Sequence, residues 1–359
     1  MFLCILILSQ MPALSIAQKE RFIERFMQMN SFVVPNSINQ TMELINHIRE
    51  LKKEKDAILL SHYYMPAELQ ILEEEGGVAD FVGDSLGLSL EAVKASGKNI
   101  IFCGVRFMAE TAAILNPSKK VLIPDMEAGC SLASGISAQD VIGLKQKYPG
   151  VPVIAYINTY AETKAECDII CTSRNALKIA QSFPNDRLIF VPDEFMGKNL
   201  REVIYKETGK ELIVWNAKCE VHEQFTKTTI HQLMESNPEA EVLVHWEVPD
   251  EAVKESLSKG KGIVGSTSDI ISYVSKSDAT EFILGSECDL GATLRGLYKD
   301  KIFITPCVKC PYMKKINLQN TLDALMAIGT KDEERYLVKV PEPTRTRAEL
   351  PLRRMLEFS

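Results

Sequence analysis

Apolar and polar positions along this chain fall into short blocks. AILLSHYY (Ala57–Tyr64), NIIFCGV (Asn99–Val105), VPVIAYIN (Val151–Asn158), RLIFVP (Arg187–Pro192), EVLVHWE (Glu241–Glu247) and EFILG (Glu281–Gly285) are apolar runs of strand length, most of them turning polar at their carboxyl ends. Between such runs lie stretches suited to helices: an amphipathic Met42–Lys53, a segment from Pro66 to Gly76-Gly77, Ser85–Ser96 and Met108–Leu115. Near-continuous apolar strands that alternate with helices predict parallel sheets covered on both faces, an α/β fold.

The blocks also repeat. KKVLIPDMEAGCSL, KELIVWNAKCEVHE and KIFITPCVKCPYMKK each carry an apolar run toward a cysteine, and Cys130, Cys219 and Cys310 stand 89 and 91 residues apart. Such a period predicts three pseudo-symmetric α/β/α domains from an internal triplication, around a central cavity. The expected boundaries are an N-terminal extension (1–40), repeats over 41–138, 139–228 and 229–325, and a tail (326–359) that packs back on the domains.

Aligned on this period, the first strands end in His62 and Tyr64, in Tyr156 and Asn158, and in His245 and Glu247. Alternate strand residues share a face, so each pair points one way. The second strands run into Ser85, Ser173, and Ser266 with Thr267, expected as N-caps of helices whose free N–H groups gather anions. Ligands of parallel α/β sheets bind beyond the carboxyl ends of the strands. Three units facing one centre would bring all these side chains to one cavity.

Composition narrows the chemistry. A formal net charge of −7 over 359 residues argues against general nucleic-acid binding, so an anionic ligand must be held by local donors. Nine cysteines, an odd count in a long chain, read as reduced thiols and metal ligands of a cytoplasmic protein. The apolar run Phe2–Leu8 has no preceding positive charge and is too short to span a bilayer, so it reads as a dispensable extension.

Three cysteines from three strand ends can ligate three corners of a 4Fe-4S cluster and leave its fourth iron open to substrate. The competing assignments are buried apolar residues or a closed zinc site, with His222 as the fourth ligand three residues after Cys219. Cys307 and Cys310 form a CxxC pair that could act as a redox dithiol, a secondary role in the absence of thioredoxin-like surroundings. Cys103 and Cys288 read as core thiols, Cys167 and Cys171 have no register partner, and Cys4 lies in the extension. The matched register of His62 and His245 favours proton transfer or anion binding over a core role, and Glu247 is the best general-base candidate.

Several separate motifs then resemble the quinolinate synthase family: SHYY (Ser61–Tyr64), GDS (Gly83–Ser85), EAGCSLA (Glu127–Ala133), YIN (Tyr156–Asn158), CTSRNA (Cys171–Ala176), CEVH (Cys219–His222), VHWE (Val244–Glu247), GSTSDI (Gly265–Ile270) and CPYM (Cys310–Met313). The resemblance covers about Met42 to Leu356 and implies a 4Fe-4S enzyme of de novo NAD biosynthesis. Such an enzyme condenses iminoaspartate with dihydroxyacetone phosphate to quinolinate, a transferase and dehydration chemistry in which the cluster is a Lewis acid.

The resemblance implies Cys130, Cys219 and Cys310 as cluster ligands, and His62, Tyr64, Ser85, Tyr156, Asn158, Ser173, His222, His245, Glu247, Ser266 and Thr267 as the substrate-contacting set. Within that set Glu247, Tyr64, His245 and His62 are the catalytic candidates, and His222 is a site donor instead of a zinc ligand. Functional coupling to an iminoaspartate-producing enzyme is expected, with no nucleic-acid or membrane partner. Two other readings stay open: a radical enzyme of the diphthamide-biosynthesis type, which also draws three cluster cysteines from three related domains, and a zinc-stapled binding protein.

Overall fold

The computed structural model describes residues 21, 22, 24–26 and 35–359, so Phe2–Leu8 and Cys4 lie outside the described residues. Among the described residues, twelve strands form three four-stranded sheets, every neighbouring pair parallel. The first contains β1 (Ala57–His62), β2 (Phe81–Gly83), β3 (Asn99–Cys103) and β4 (Lys120–Leu122). The second contains β5 (Val153–Tyr156), β6 (Ile169–Cys171), β7 (Arg187–Val191) and β8 (Glu211–Val214). The third contains β9 (Glu241–His245), β10 (Gly262–Gly265), β11 (Glu281–Gly285) and β12 (Ile302–Ile304).

In each sheet the spatial order is second, first, third, fourth strand. Three identical topologies in one chain establish the triplicated α/β architecture. The order reverses between the first and third strands, and in such sheets the crevice beyond that point is where ligands sit. The apolar runs form the sheet interiors: Leu59, Leu60, Ile100, Ile101, Ile154, Ile170, Ile189, Val244 and Ile283 are all buried.

By contacts the chain divides into two compact units. One comprises the described residues up to Ala128 with Ala292–Lys299 and Cys310–Lys339; the other comprises Gly129–Gly291, Asp300–Lys309 and Val340–Ser359. The first unit carries the first sheet. Helix α1 (Pro35–Glu54) opens it, and α2 (Ser85–Lys94) and α3 (Arg106–Leu115) connect its strands. Between β1 and β2 the chain makes two 3-10 turns, Ala67–Leu69 and Glu73–Glu75, in place of the helix expected from Pro66. Gly76 ends the second turn at φ +97°, a left-handed conformation suited to glycine. Leu337 bridges Leu122 in antiparallel fashion and covers the outer edge of β4.

The second unit carries the other two sheets. Besides the single turns Ser131–Ser134 and Ala161–Lys164, its helices include α4 (Ala138–Lys147), α5 (Ala176–Ser182), α6 (Glu194–Thr208), α7 (Lys227–Ser236), α8 (Asp250–Ser258) and α9 (Thr267–Lys276). Helix α10 (Cys288–Leu297) is shared between the units, α11 (Leu318–Ala327) packs on α1 in the first, and α12 (Thr344–Leu356) packs on β6 in the second. Arg347 pairs with Glu166 at 2.5 Å, and the Arg354 guanidinium donates to the Asp168 carbonyl at 2.6 Å, both holding α12 in place. Among the described residues no helix is long and apolar enough to cross a membrane.

The three expected serine caps fare differently. Ser266 caps α9 in a capping box with Asp269. Asp84, not Ser85, caps α2, its carboxylate accepting from the Gly87 N–H at 2.7 Å, so Ser85 is the first helical residue. Ser173 lies in a turn before α5, where the Asn175 side chain accepts from the Thr172 N–H at 2.7 Å. In both departures the side chain of a neighbouring Asp or Asn takes a local backbone N–H. Replacing Asp84 by Ala is therefore expected to lower unfolding free energy by about 1 kcal/mol in chemical denaturation. Ser85→Ala should cost only a fraction of that.

Candidate active site

The ends of the first strands are structurally equivalent. His62 pairs with Gly83, Tyr156 with Cys171, and His245 with Gly265. The next N–H in each case donates to the same partner carbonyl: Tyr63 to Gly83 at 3.3 Å, Ile157 to Cys171 at 2.8 Å, and Trp246 to Gly265 at 3.2 Å. Tyr64, Asn158 and Glu247 then follow at matching places.

The two histidines share a second feature. His62 Nδ1 accepts from the Tyr64 N–H at 3.1 Å, and His245 Nδ1 accepts from the Glu247 N–H at 3.3 Å. An Nδ1 that accepts puts the proton of the neutral ring on Nε2, so each imidazole offers an Nε2–H donor. Burial lowers the His245 pKa to about 4 against the opposing pull of Glu247, which leaves the ring neutral near pH 7.

Glu247 is the centre of the second unit's polar cluster. It is buried, and each carboxylate oxygen has its own donor: Tyr156 OH on Oε1, and His222 Nδ1 on Oε2 at 3.0 Å. The His222 ring stacks on that of His245 with centroids 4.9 Å apart. Burial pushes the Glu247 pKa up, but His222, His245 and the Tyr156 hydroxyl outweigh it and bring the group down to about 2. It is an ionised acceptor whose two lone-pair directions are defined by a phenol and an imidazole.

Asp193, fully buried at the end of the third strand's run, has the opposite character. Burial and the charge of Glu247 hold it well above the usual carboxylate range. Its Oδ1 caps α6 by accepting from the Met196 N–H at 2.8 Å, while the buried Oδ2 has no hydrogen-bond partner. Two carboxyl groups with oppositely displaced proton affinities are a recurring arrangement in acid–base sites.

Cys219 lies beside this cluster, its Sγ 3.3 Å from His222 Nδ1. Burial, Glu247 and Cys130 push its thiol well above its ordinary value, although the residue as a whole is only half-buried. Cys219, His222 and Glu247 each offer one ligand atom, all within 4.8 Å of one another, which is compact enough for a metal. Cys130 precedes a single helical turn, Ser131–Ser134, in the same unit.

The first unit presents His62, Tyr64, Ser85 and Cys310. The His62 and Tyr64 rings meet edge to face with centroids 4.7 Å apart, and Lys314 Nζ donates to the Tyr64 carbonyl at 2.5 Å. Cys310 is half-buried just before the 3-10 turn Met313–Lys315. Cys307 is not its dithiol partner: Cys307 is disulfide-bonded to Cys288. That bond corrects two expectations, wholly reduced thiols and Cys288 as a plain core thiol. It forms because the loop after β12 folds back on α10, with the Cys288 N–H donating to the Val308 carbonyl at 2.9 Å, a contact invisible in linear spacing.

Other expected residues are placed with mixed availability. The Asn158 side-chain oxygen is buried and has no hydrogen-bond partner, so it is an acceptor ready for a ligand. Ser266 is engaged by its capping box, its Oγ donating to Asp269 at 2.6 Å, while Thr267 is buried in the first turn of α9. Asp193, Lys164 and Asn199 were missed by sequence reasoning. Asp193 had a usable signal, because in VPDEFMG it is the polar residue at which the third strand's apolar run stops.

Three doubly wound repeats, with a carboxylate, an imidazole and a phenol at strand ends and a second imidazole and a thiol close enough to share a metal ion, define an α/β protein with a buried polar, metal-capable site. The chain belongs to the quinolinate synthetase A protein family, whose profile matches residues 46–357. It is 41% identical over 330 residues to the quinolinate synthase of Caulobacter vibrioides, covering 91% of this chain and 84% of that one. It is 42% identical over 312 residues to quinolinate synthase 2 of Mesorhizobium japonicum (87% and 90% covered), and 41% identical over 317 residues to the quinolinate synthase of Caldicellulosiruptor bescii (88% and 98% covered).

The depressed affinity of His245 gives a pH signature. With a folded value of about 4 against 6.5 for the unfolded chain, the unfolded state binds the extra proton between those limits. Stability is fully present above pH 6.5 and falls as pH drops toward 4, with a slope of at most about 1.4 kcal/mol per pH unit from this group. Denaturation curves of wild type and His245→Asn across that range should differ by this slope. Parallel curves would show that the ring is not buried neutral.

Proposed function

We propose that this protein is a cytoplasmic quinolinate synthase that condenses iminoaspartate with dihydroxyacetone phosphate to give quinolinate, phosphate and water in de novo NAD biosynthesis. By its carbon–carbon bond formation it is a transferase, and dehydration completes the ring. The observation that carries the reading is the ionised Glu247 held between Tyr156 and His222, in a chain of this family.

Cys130, Cys219 and Cys310 would hold the 4Fe-4S cluster. The donor set fits: these three are half-buried and outside any disulfide, whereas Cys103, Cys167 and Cys171 are buried. A thiolate at Cys219 is opposed by burial and by Glu247, and a bound metal would supply the missing positive charge. Cys310 enters on its motif. When bound, the cluster supplies an open iron, a Lewis acid that makes a hydroxyl a better leaving group.

The protein's own residues would do the rest. Glu247 accepts protons from carbon during isomerisation and dehydration, and its exchange partners are the Tyr156 O–H and the His222 Nδ1–H. His245 and His62 present Nε2–H donors to developing oxyanions or phosphate, and Tyr64 is a second proton carrier. Asn158 Oδ1 accepts from substrate N–H or O–H groups. Ser85, Ser173, Ser266 and Thr267 complete the anion-binding set by motif. Because iminoaspartate is unstable, coupling to an enzyme that produces it belongs to the same reading.

A second reading, a single zinc ion, is favoured by the mutual approach of Cys219, His222 and Glu247. Anaerobic purification with iron, sulfide and zinc analysis separates the two. Iron and sulfide with quinolinate formation are expected; zinc alone, even after anaerobic reconstitution, would overturn the cluster assignment. Glu247→Gln should keep iron and sulfide while quinolinate formation falls at least about 100-fold. Wild-type turnover by that variant would remove Glu247 from the mechanism.

A further inference from the structure

A base works only if its carboxylate is held in one direction. Glu247 follows β9 in a loop, where the strand's ladder no longer fixes the backbone. The side chain of Asn199, buried on α6 of the preceding repeat, supplies the missing constraint. Its single amide nitrogen donates to the carbonyls of Trp246 and Val248, each at 2.9 Å. Both partners are acceptors, so only the NH2 group can face them, and its two hydrogens are both used. The carbonyls so bridged are those on either side of Glu247.

The same device recurs in the second sheet. Lys164 is fully buried, and its ammonium donates to the carbonyls of Ile157, at 2.8 Å, and Thr159, the residues flanking Asn158. Asn158 and Glu247 occupy equivalent register positions, so two repeats clamp the same place with a buried donor that reaches the carbonyl before and the carbonyl after. The donors differ in origin. Lys164 belongs to its own repeat, whereas Asn199 comes from the helix after β7 and ties the second sheet's repeat to the third sheet's site residue.

Helix α6 is itself anchored from the site side, because its N-cap is Asp193. One helix thus begins at the carboxyl group that feels the charge of Glu247 and, one and a half turns later, grips the loop that carries Glu247.

We propose that Asn199 is the positioning residue for Glu247, bridging the Trp246 and Val248 carbonyls so that the carboxylate meets Tyr156 and His222 in a single geometry. The inference rests on the reading of Glu247 as the proton acceptor. Losing the bridge frees the loop without removing any group that touches substrate, so its effect is on turnover and not on binding.

The test compares the reconstituted holoenzyme of Asn199→Leu and Asn199→Asp with wild type and with Glu247→Gln. Leucine keeps the volume without donors; aspartate keeps the shape, sets acceptor against acceptor at neutral pH and regains one donor when protonated. At equal iron content and equal folded fraction, kcat for Asn199→Leu should fall about 10- to 100-fold while both KM values stay within about two-fold. The Asn199→Asp variant should show its kcat–pH profile displaced to the acid side, a shift that a purely structural role would not produce.

Wild-type kcat in Asn199→Leu beside an inactive Glu247→Gln would overturn the positioning role alone. A fully active Glu247→Gln would instead overturn the reading beneath it. If Asn199→Leu fails to fold, Asn199→Asp decides: an unshifted profile with kcat and KM unchanged overturns the proposal.

Discussion

The site depends on one electrostatic arrangement, a carboxylate kept ionised out of water. Burial alone would protonate Glu247, since desolvation of an unpaired charge is costly. The Tyr156 hydroxyl on one oxygen and His222 Nδ1 on the other reverse that preference. Because the phenol comes from β5, the imidazole from the loop after β8, and the carboxylate from the loop after β9, the ionised state exists only once two sheets and their connections are in place. Folding and proton affinity are therefore coupled in this unit.

Triplication explains how such an arrangement is built. Each sheet delivers residues to the same place past its first strand, and the second strand's carbonyl fixes that place by an equivalent hydrogen bond in all three copies. With the backbone repeated, the side chains are left to diverge: imidazole and phenol in one repeat, phenol and amide in the next, imidazole and carboxylate in the third. Similar geometry with different chemistry lets a single fold motif supply donors, acceptors and thiols.

Much of this is legible in the chain itself. Continuous apolar runs such as AILLSH and VLVH belong to parallel strands, and a polar residue ending such a run belongs to the site side of the sheet, which is why His62, Tyr156, His245 and Glu247 stand out in the linear chain. The period of the cysteines exposes the triplication. What escapes is whatever depends on contacts between distant segments. The Cys288–Cys307 bond needs the loop after β12 to return to α10, and Asn199 gains meaning only from a loop nearly fifty residues on. Local side-chain acceptors are the other blind spot: Asp84 displaces Ser85 as a cap by accepting from the Gly87 N–H, and Asn175 organises the turn that contains Ser173 by accepting from the Thr172 N–H. The helix expected after Pro66 gives way to two 3-10 turns, a choice that hydrophobic spacing does not encode.

The central claim is the ionisation state of Glu247, and infrared difference spectroscopy reads it directly. Spectra of wild type minus Glu247→Gln at neutral pH should show the loss of an ionised carboxylate stretch with no change in the protonated carboxyl region. Wild type minus Asp193→Asn should lose a protonated carboxyl band instead. A Glu247→Gln difference spectrum that loses a protonated carboxyl band would contradict the account, because the group would then be an acid in the resting protein and not an acceptor.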